Sequence, residues 1–294
     1  MSTIRLPAPA KVNLFLAVTG RRADGFHDLV SLVVPLDWGD TLEAADGGGS
    51  VSVESDSDSV PRGRDNLVAK AAAAFAEATG WDKGGAFFLQ KRIPAGAGLG
   101  GASSDAASAL TALNRMAGEP LGPAALAKVA AAVGSDCPLF LSGAGVVMRG
   151  RGEVTLPLGP AAQGRLRGAR LLLFKPTFSV ATPWAYGRLA ASAPSSYCDA
   201  AWAEERLGSW LADPPKPLSA LLFNSMDAAV FPKYPALPVL LGQLRKKFGV
   251  DAAMTGSGSA CFAVLGEGAD AGPVADEVRG SLGPSAFVQE ARIA

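Results

Sequence analysis

One stretch restricts this chain more than any other: Lys91-Arg92-Ile93-Pro94-Ala95-Gly96-Ala97-Gly98-Leu99-Gly100-Gly101-Ala102-Ser103-Ser104-Asp105. A short apolar strand over 86–89 leads into it, and a long Ala/Leu helix over 103–116 leaves it. The stretch holds four glycines and two serines. Backbone without Cβ atoms lets a bulky anion reach N–H groups directly. The helix start behind it adds unpaired donors and the positive end of the helix dipole. The local chemistry is phosphate binding.

Gly96, Gly98 and Gly101 also satisfy the dinucleotide pattern G-x-G-x-x-G. That pattern needs a second strand after the helix, ending near an acidic residue about 20 residues on. Here the helix runs into Gly118-Glu119-Pro120-Leu121-Gly122-Pro123 and then a second Ala-rich helix over 124–133, so there is no βαβ unit. No Gly-Lys-Ser/Thr follows the glycines, which excludes a Walker A loop. The plain alternative is a helix start capped by Ser103, Ser104 or Asp105. A cap needs one such residue and does not account for four glycines.

With 294 residues the chain is long enough for two domains. Hydrophobic residues at 49% and charged residues at 18% suit a globular enzyme. Lys plus Arg equals Asp plus Glu at 27 each, and no basic stripe exists, so nucleic acid is not an expected partner. The N-terminus, Met1-Ser2-Thr3-Ile4-Arg5-Leu6-Pro7, lacks an apolar signal core, and no apolar run is long enough to suggest a membrane partner. Cys137, Cys198 and Cys261 are odd in number and far apart, which reads as a reduced, cytoplasmic setting. His27 is the only histidine, so a histidine-rich metal site is excluded. The expected partner is a small-molecule substrate, and the expected state a monomer or weak homodimer.

Turn signals divide the first half into strands over 12–18, 29–36, 41–45 and 51–54, read as an antiparallel meander with a turn at Asp37-Trp38-Gly39-Asp40. An Ala-rich helix over 67–79 follows Asp65-Asn66, and Val146-Val147-Met148 and 153–156 flank a glycine turn. Composition shifts at Leu158-Gly159-Pro160, which places a domain boundary there: 1–159 and 160–294. Beyond it come a strand over 170–174, a helix over 183–190, an irregular stretch over 192–217 and a helix over 238–248. Strands over 252–255 and 260–265 then flank Gly256-Ser257-Gly258, followed by a helix over 270–282 and a strand over 286–291. The whole reads as α+β.

Three segments in order resemble the GHMP kinase superfamily: Pro9-Ala10-Lys11-Val12-Asn13-Leu14, the glycine-serine loop, and Met254-Thr255-Gly256-Ser257-Gly258-Ser259-Ala260-Cys261. Within it, Asn13-Leu14-Phe15-Leu16, Arg21-Arg22-Ala23-Asp24-Gly25 and the pair Phe26-His27 are similar to the family acting on 4-diphosphocytidyl-2-C-methyl-D-erythritol. Asp65-Asn66-Leu67, Gly134-Ser135-Asp136-Cys137-Pro138, Lys175-Pro176 and Thr182-Pro183 also match. Three places depart from the family: Phe26 where Tyr is common, Val33 where an aromatic is found, and Ser225-Met226-Asp227 after Asn224.

The resemblance implies a two-domain fold with the active site in the cleft between the domains. It also implies ATP and Mg²⁺ as cofactors, and phosphorylation of a hydroxyl on the methylerythritol part of a cytidine diphosphate substrate. ATP contacts fall on Asn66, Pro94, Ala95, Gly96, Ala97, Gly98, Leu99, Gly100, Gly101, Ala102, Ser103 and Ser104, with the Ser104 hydroxyl also a Mg²⁺ contact. Asp136 is the implied base for the acceptor hydroxyl, and Lys11 the group that keeps Asp136 ionised and offsets charge on the transferring group. Substrate contacts fall on Asn13, Phe26, His27, Thr182, Tyr186, Gly256 and Ser257. A stacking face beside a hydrogen-bonding imidazole suits a cytosine ring.

Each of these residues has a plainer reading. Lys11 alone would be a surface lysine, Asp136 a helix cap or a turn residue, and Asn66 an ordinary N-cap. Phe26 would be a strand-end aromatic packed on the core, His27 a solvent-facing side chain, Tyr186 a helix-face residue on Leu189, and Gly256-Ser257-Gly258 a hairpin turn. Other kinases of the superfamily, acting on mevalonate, homoserine or a sugar, are rivals. So is a ligand-binding regulator without turnover.

Overall fold

A computed structural model describes residues 3–294. In chain order the elements begin with β1 (Ile4–Arg21), β2 (His27–Ala45), β3 (Ser50–Ser55), α1 (Leu67–Thr79), β4 (Gly84–Gln90), α2 (Gly101–Met116), α3 (Pro123–Val133) and α4 (Cys137–Ser142). Next come β5 (Val146–Arg149), β6 (Val154–Pro157), α5 (Pro160–Leu166), β7 (Arg170–Lys175), α6 (Thr182–Ala191) and α7 (Ala200–Ala212). The chain closes with β8 (Phe223–Asn224), α8 (Asp227–Val230), α9 (Ala236–Phe248), β9 (Ala252–Met254), β10 (Cys261–Leu265), α10 (Gly272–Leu282) and β11 (Phe287–Arg292). The fold is α+β. No helix among the described residues is long and apolar enough to cross a membrane.

The chain forms two compact units. The first is built from the described residues up to Ala10, Trp38–Ala95 and Gly100–Gly143; the second from Lys11–Asp37, Gly96–Leu99 and Ala144–Ala294. These units are cut differently from the contiguous parts 1–159 and 160–294. Residues 11–37 and 96–99 fold with the residues after Gly143.

In the first unit the meander is corrected twice. No turn forms at Asp37-Trp38-Gly39-Asp40, because β2 runs straight through it. Asp40 is buried there, and its Oδ1 accepts the backbone N–H of Arg92 at 2.5 Å and of Ile93 at 2.8 Å. A polar residue can sit inside a strand when distant donors answer its charge. Gly39 lies flat on neighbouring backbone, where a Cβ would come within 2.3 Å of the Ala8 carbonyl oxygen. The second correction concerns β3, which pairs parallel with β4, Val51 beside Gly85. Strand β4 in turn pairs antiparallel with the end of β2, Leu42 beside Leu89. Helices α1 and α2 close a core of Leu42, Phe75, Phe87, Leu89, Leu110 and Leu113, with Ala71, Ala72, Ala109 and Ala112 as its small members. Small side chains at a contact let helix axes approach closely.

In the second unit β5 pairs antiparallel with both β2 and β6, and β1 pairs parallel with β8, Leu16 beside Asn224. A separate antiparallel sheet has the order β11-β7-β10-β9. Its core includes Leu172, Phe174, Leu240, Leu244, Met254, Ala263 and Val278. The stretch 192–217, read as irregular, contains the regular helix α7. Asp199 caps it, accepting the Trp202 N–H at 2.8 Å, a signal present in the sequence.

Asp227 opens α8, and one of its carboxylate oxygens is buried with no hydrogen-bond partner. Burial pushes its pKa up to about 8 from the ordinary 3.8. The folded chain therefore binds this proton more tightly than the unfolded chain, and stability falls as pH rises from 3.8 towards 8. Asp227→Asn removes that slope. The melting temperature of the wild type relative to the variant should fall between about pH 5 and about pH 8; parallel profiles would contradict the burial of this charge.

Candidate active site

A buried ammonium organises one end of the site, in the second unit. Lys11 lies on β1 and is only 5% exposed, so the plain reading of a surface lysine fails. Its Nζ donates to Asn13 Oδ1 at 2.6 Å. Residues two apart on a strand share a face, which is why Pro-Ala-Lys-Val-Asn puts the two together. Asn13 is locked in turn. Its Nδ2 donates to Ser31 Oγ at 2.9 Å, its N–H donates to Thr255 Oγ1 at 2.9 Å, and Ser31 donates onward to the Phe15 carbonyl at 2.5 Å.

Gly256 lies against this group, with φ of +58°; a Cβ there would be 3.3 Å from the Lys11 ammonium. Asn224 holds the same turn by donating Nδ2 to the carbonyls of Met254 and Gly256, both at 2.9 Å. Ser257 Oγ is 2.8 Å from Thr182 Oγ1. The structure thus brings Lys11, Asn13, Gly256, Ser257 and Thr182 together. Ser31, Thr255 and Asn224 were missed from sequence.

The glycines at 96–99 dock on the same turn. Ala260 N–H donates to the Ala97 carbonyl at 3.1 Å, and Lys11 N–H to the Leu99 carbonyl at 3.0 Å. A Cβ on Gly98 would lie 2.6 Å from the Thr255 carbonyl oxygen, and its φ is +78°. Gly98 is therefore required by the chain's own packing, independently of any phosphate beside it.

In the first unit α2 begins at Gly101, with Gly100 at the N-cap in the left-handed region and no side-chain cap. Ser103, Ser104 and Asp105 lie inside the helix, so the plain capping reading fails. The Ser104 hydroxyl is fully buried and has no hydrogen-bond partner. Such a group costs free energy unless something fills it. Asp105 bonds Lys91 Nζ at 2.6 Å through one oxygen and leaves the other unpartnered. Lys91 also pairs with Asp40. Burial raises the Asp105 pKa to about 7, with Lys91 opposing and Asp40 adding to the shift. Asp40, Lys91 and Asp105 tie the start of the loop to the helix behind it.

Asp136 occupies the N-cap position of α4 in a turn, half-buried, yet makes no capping bond, so the cap reading fails while the turn reading stands. Asn66 behaves in the opposite way. Its Oδ1 accepts the Val68 N–H at 2.8 Å, and its Nδ2 donates to the Pro61 carbonyl at 2.9 Å, so it is the cap of α1. Pro94 and Ala95 belong to the same unit. Among the described residues no group of His, Cys, Asp and Glu forms a metal cage.

The aromatic end lies in the second unit and inverts the plain reading. Phe26 is 50% exposed and His27 only 8%. The Phe26 ring carries the Arg151 guanidinium 4.9 Å from its centroid. Tyr186 lies 4.8 Å from the His27 ring, tilted 37°. Burial, with Arg21 adding, pushes the His27 pKa down, which leaves a neutral imidazole. Thr182 and Tyr186 are four residues apart on α6, about 6 Å along its axis. The helix thus spans from the Ser257 turn to His27. Tyr197, also missed from sequence, has its hydroxyl 3.2 Å from His27 Nε2.

The GHMP kinases N terminal domain family matches residues 66–144, and the GHMP kinases C terminal family residues 214–283. The chain is 38% identical to the 4-diphosphocytidyl-2-C-methyl-D-erythritol kinase of Synechococcus sp. (strain CC9311), over 97% of this chain and 94% of that protein. It is 35% identical to the protein of the same name from Gloeobacter violaceus, over 98% and 94%. A crystal structure of 4-(cytidine 5'-diphospho)-2C-methyl-D-erythritol kinase has a TM-score of 0.76 at 34% identity, covering 99% of this chain and 100% of that one. A homoserine kinase from Cytophaga hutchinsonii has a TM-score of 0.76 at 18% identity, a likeness of fold alone.

Gly98→Ala tests the packing reason for that glycine. A side chain at positive φ pressed on backbone should lower unfolding free energy by about 1–3 kcal/mol. Gly122→Ala, at ordinary φ with nothing within 4 Å, is the control and should be near neutral. Denaturant melts that match for the two variants, with ATP affinity lost only in Gly98→Ala, would overturn the packing reason and leave room for a phosphate as the explanation.

Proposed function

Because the chain belongs to the 4-diphosphocytidyl-2-C-methyl-D-erythritol kinase family of GHMP kinases, we propose that it transfers a phosphoryl group from ATP to the 2-hydroxyl of 4-diphosphocytidyl-2-C-methyl-D-erythritol, in non-mevalonate isoprenoid precursor synthesis. It is an ATP-dependent small-molecule kinase. One observation carries the substrate reading beyond kinship. The second unit has a charged end at Lys11 and Asn13 and an aromatic end at His27 and Tyr186, joined by a single helix. Mevalonate and homoserine have no nucleobase for the second end.

Phosphoryl transfer depends on positioning and charge neutralisation. The residues from Pro94 to Ser104 present backbone N–H groups and an uncapped helix start to the phosphates. The buried Ser104 hydroxyl, lacking any partner, fits a phosphate oxygen or Mg²⁺. Magnesium bound mainly by phosphates and water needs no carboxylate cage, and its charge would offset that on the transferred group. Lys11, oriented by Asn13, adds positive charge where negative charge moves.

Asp136, uncommitted to its helix, accepts the proton of the acceptor hydroxyl. Thr182, Gly256 and Ser257 line the diphosphate, and Phe26, His27 and Tyr186 take the cytosine. Asn66 keeps one N–H and one lone pair for adenine beyond those that cap α1. The three cysteines, all free, suit a reducing cytoplasm.

An ADP-release assay with a substrate panel tests the assignment. The cytidine compound should turn over, and mevalonate and homoserine should not; comparable rates with either would overturn it.

Asp136→Asn and Lys11→Met should each lower turnover at least about 10²-fold while ATP still binds by calorimetry. Near-normal turnover in either variant removes that residue from the mechanism.

A further inference from the structure

Cytosine and uracil differ on one edge. Cytosine offers an acceptor at N3 and an amino donor at N4, whereas uracil offers a donor at N3 and an acceptor at O4. A neutral imidazole carries one N–H and one bare nitrogen, and the hydrogen bond made by one nitrogen decides which is which. Burial and Arg21 keep His27 neutral. Its Nε2 is already engaged, by the Tyr197 hydroxyl at 3.2 Å.

Tyr197 is well placed to impose an arrangement. Its own N–H donates to the Pro194 carbonyl at 3.1 Å, and the next N–H, of Cys198, donates to the Val18 carbonyl on β1 at 2.9 Å. Before it, Ser196 Oγ donates to the Leu189 carbonyl at 2.6 Å. The segment is pinned to α6 and β1 rather than loose. The Tyr197 ring stands 5.8 Å from the imidazole at 59°, and the Tyr186 ring 4.8 Å from it at 37°. A phenol O–H is a good donor and its oxygen a weak acceptor, and a bare imidazole nitrogen is a strong acceptor. The favoured arrangement has the hydroxyl donating to Nε2.

We propose that Tyr197 makes this site read cytosine: by donating to Nε2 it places the ring proton on Nδ1, where His27 presents a donor to the base's N3. Uracil meets that donor with its own N3–H and is rejected. The inference rests on the cytidine reading of the proposed function, and Tyr197 is a positioning residue that acts through His27.

His27 is the only histidine in the chain, so in untagged, ¹⁵N-labelled protein every imidazole signal belongs to it. Long-range ¹H–¹⁵N spectra of the wild type should give a protonated Nδ1 and a bare Nε2. The opposite tautomer overturns the proposal. In Tyr197→Phe the ring should shift towards protonation at Nε2, and KM for the cytidine substrate should rise with ATP affinity unchanged. The ratio of kcat/KM for cytidine over uridine substrates should fall at least about 10-fold, the scale of losing a group that pairs with a substrate polar atom.

An unchanged ratio in a folded variant overturns the proposal and leaves the proposed function standing. Wild-type protein that ignores the cytidine compound sinks the proposed function, and this inference with it. If Tyr197→Phe loses ATP affinity through misfolding, the wild-type tautomer alone decides.

Discussion

The second unit is arranged around a charge that water barely reaches. Burying an ammonium is unfavourable unless acceptors converge on it. Asn13 supplies one, and it is held with its oxygen towards Lys11 because Ser31 accepts one of its amide hydrogens and Thr255 its backbone N–H. Thr255 opens the turn on which the glycines of 96–99 rest. One electrostatic requirement thus links β1, β2, the 255–260 turn and part of the glycine loop. Asn224 closes the arrangement from the far side by satisfying two carbonyls of the same turn. The departure from the family at Ser225-Met226-Asp227 leaves that duty intact. Ser225 itself anchors β1 by accepting the Val18 N–H at 2.9 Å.

Helix α6 links this anchor to the aromatic end that the proposed function assigns to the base. Thr182 at its start touches the Ser257 turn, and Tyr186 one turn later faces His27. A substrate with a base at one end and a reacting hydroxyl at the other can use binding energy from the base to position the hydroxyl. The reversal of exposure at Phe26 and His27 suits the cytosine contact proposed for them. A stacking ring works only if a face is open, and an imidazole reads hydrogen bonds best where water does not compete.

The Asp40, Lys91 and Asp105 cluster plays a comparable part in the first unit. Two carboxylates around one ammonium in a buried site contribute little net stability. What the cluster fixes is geometry, because Asp40 also takes the N–H groups of Arg92 and Ile93 where the loop begins. A loop rich in glycine has much conformational freedom to lose, and anchoring both of its ends is one way to limit that freedom.

The sequence by itself determined whatever depends on neighbours in the chain. Helix α1 was legible to the residue, because Asn66 and Gly80 mark its ends and both act within a turn. The glycine loop and the helix behind it were legible for the same reason, whereas the pairing of Lys11 with Asn13 went unread because the strand was expected to start only at residue 12. Only the tertiary structure decided the rest. Asn13 meets Thr255 across 242 residues, and His27 meets Tyr197 across 170. A hydrogen bond over such a distance leaves no local pattern. Asp37-Trp38-Gly39-Asp40 read as a turn because polar residues and glycine usually mark one. It stayed a strand because Asp40 found its donors 52 and 53 residues away, and because Gly39 had backbone to lie against. Local preference sets the elements where nothing distant competes; at this site the distant partners outweighed it, because a buried charge must be answered wherever in the chain the answering group lies.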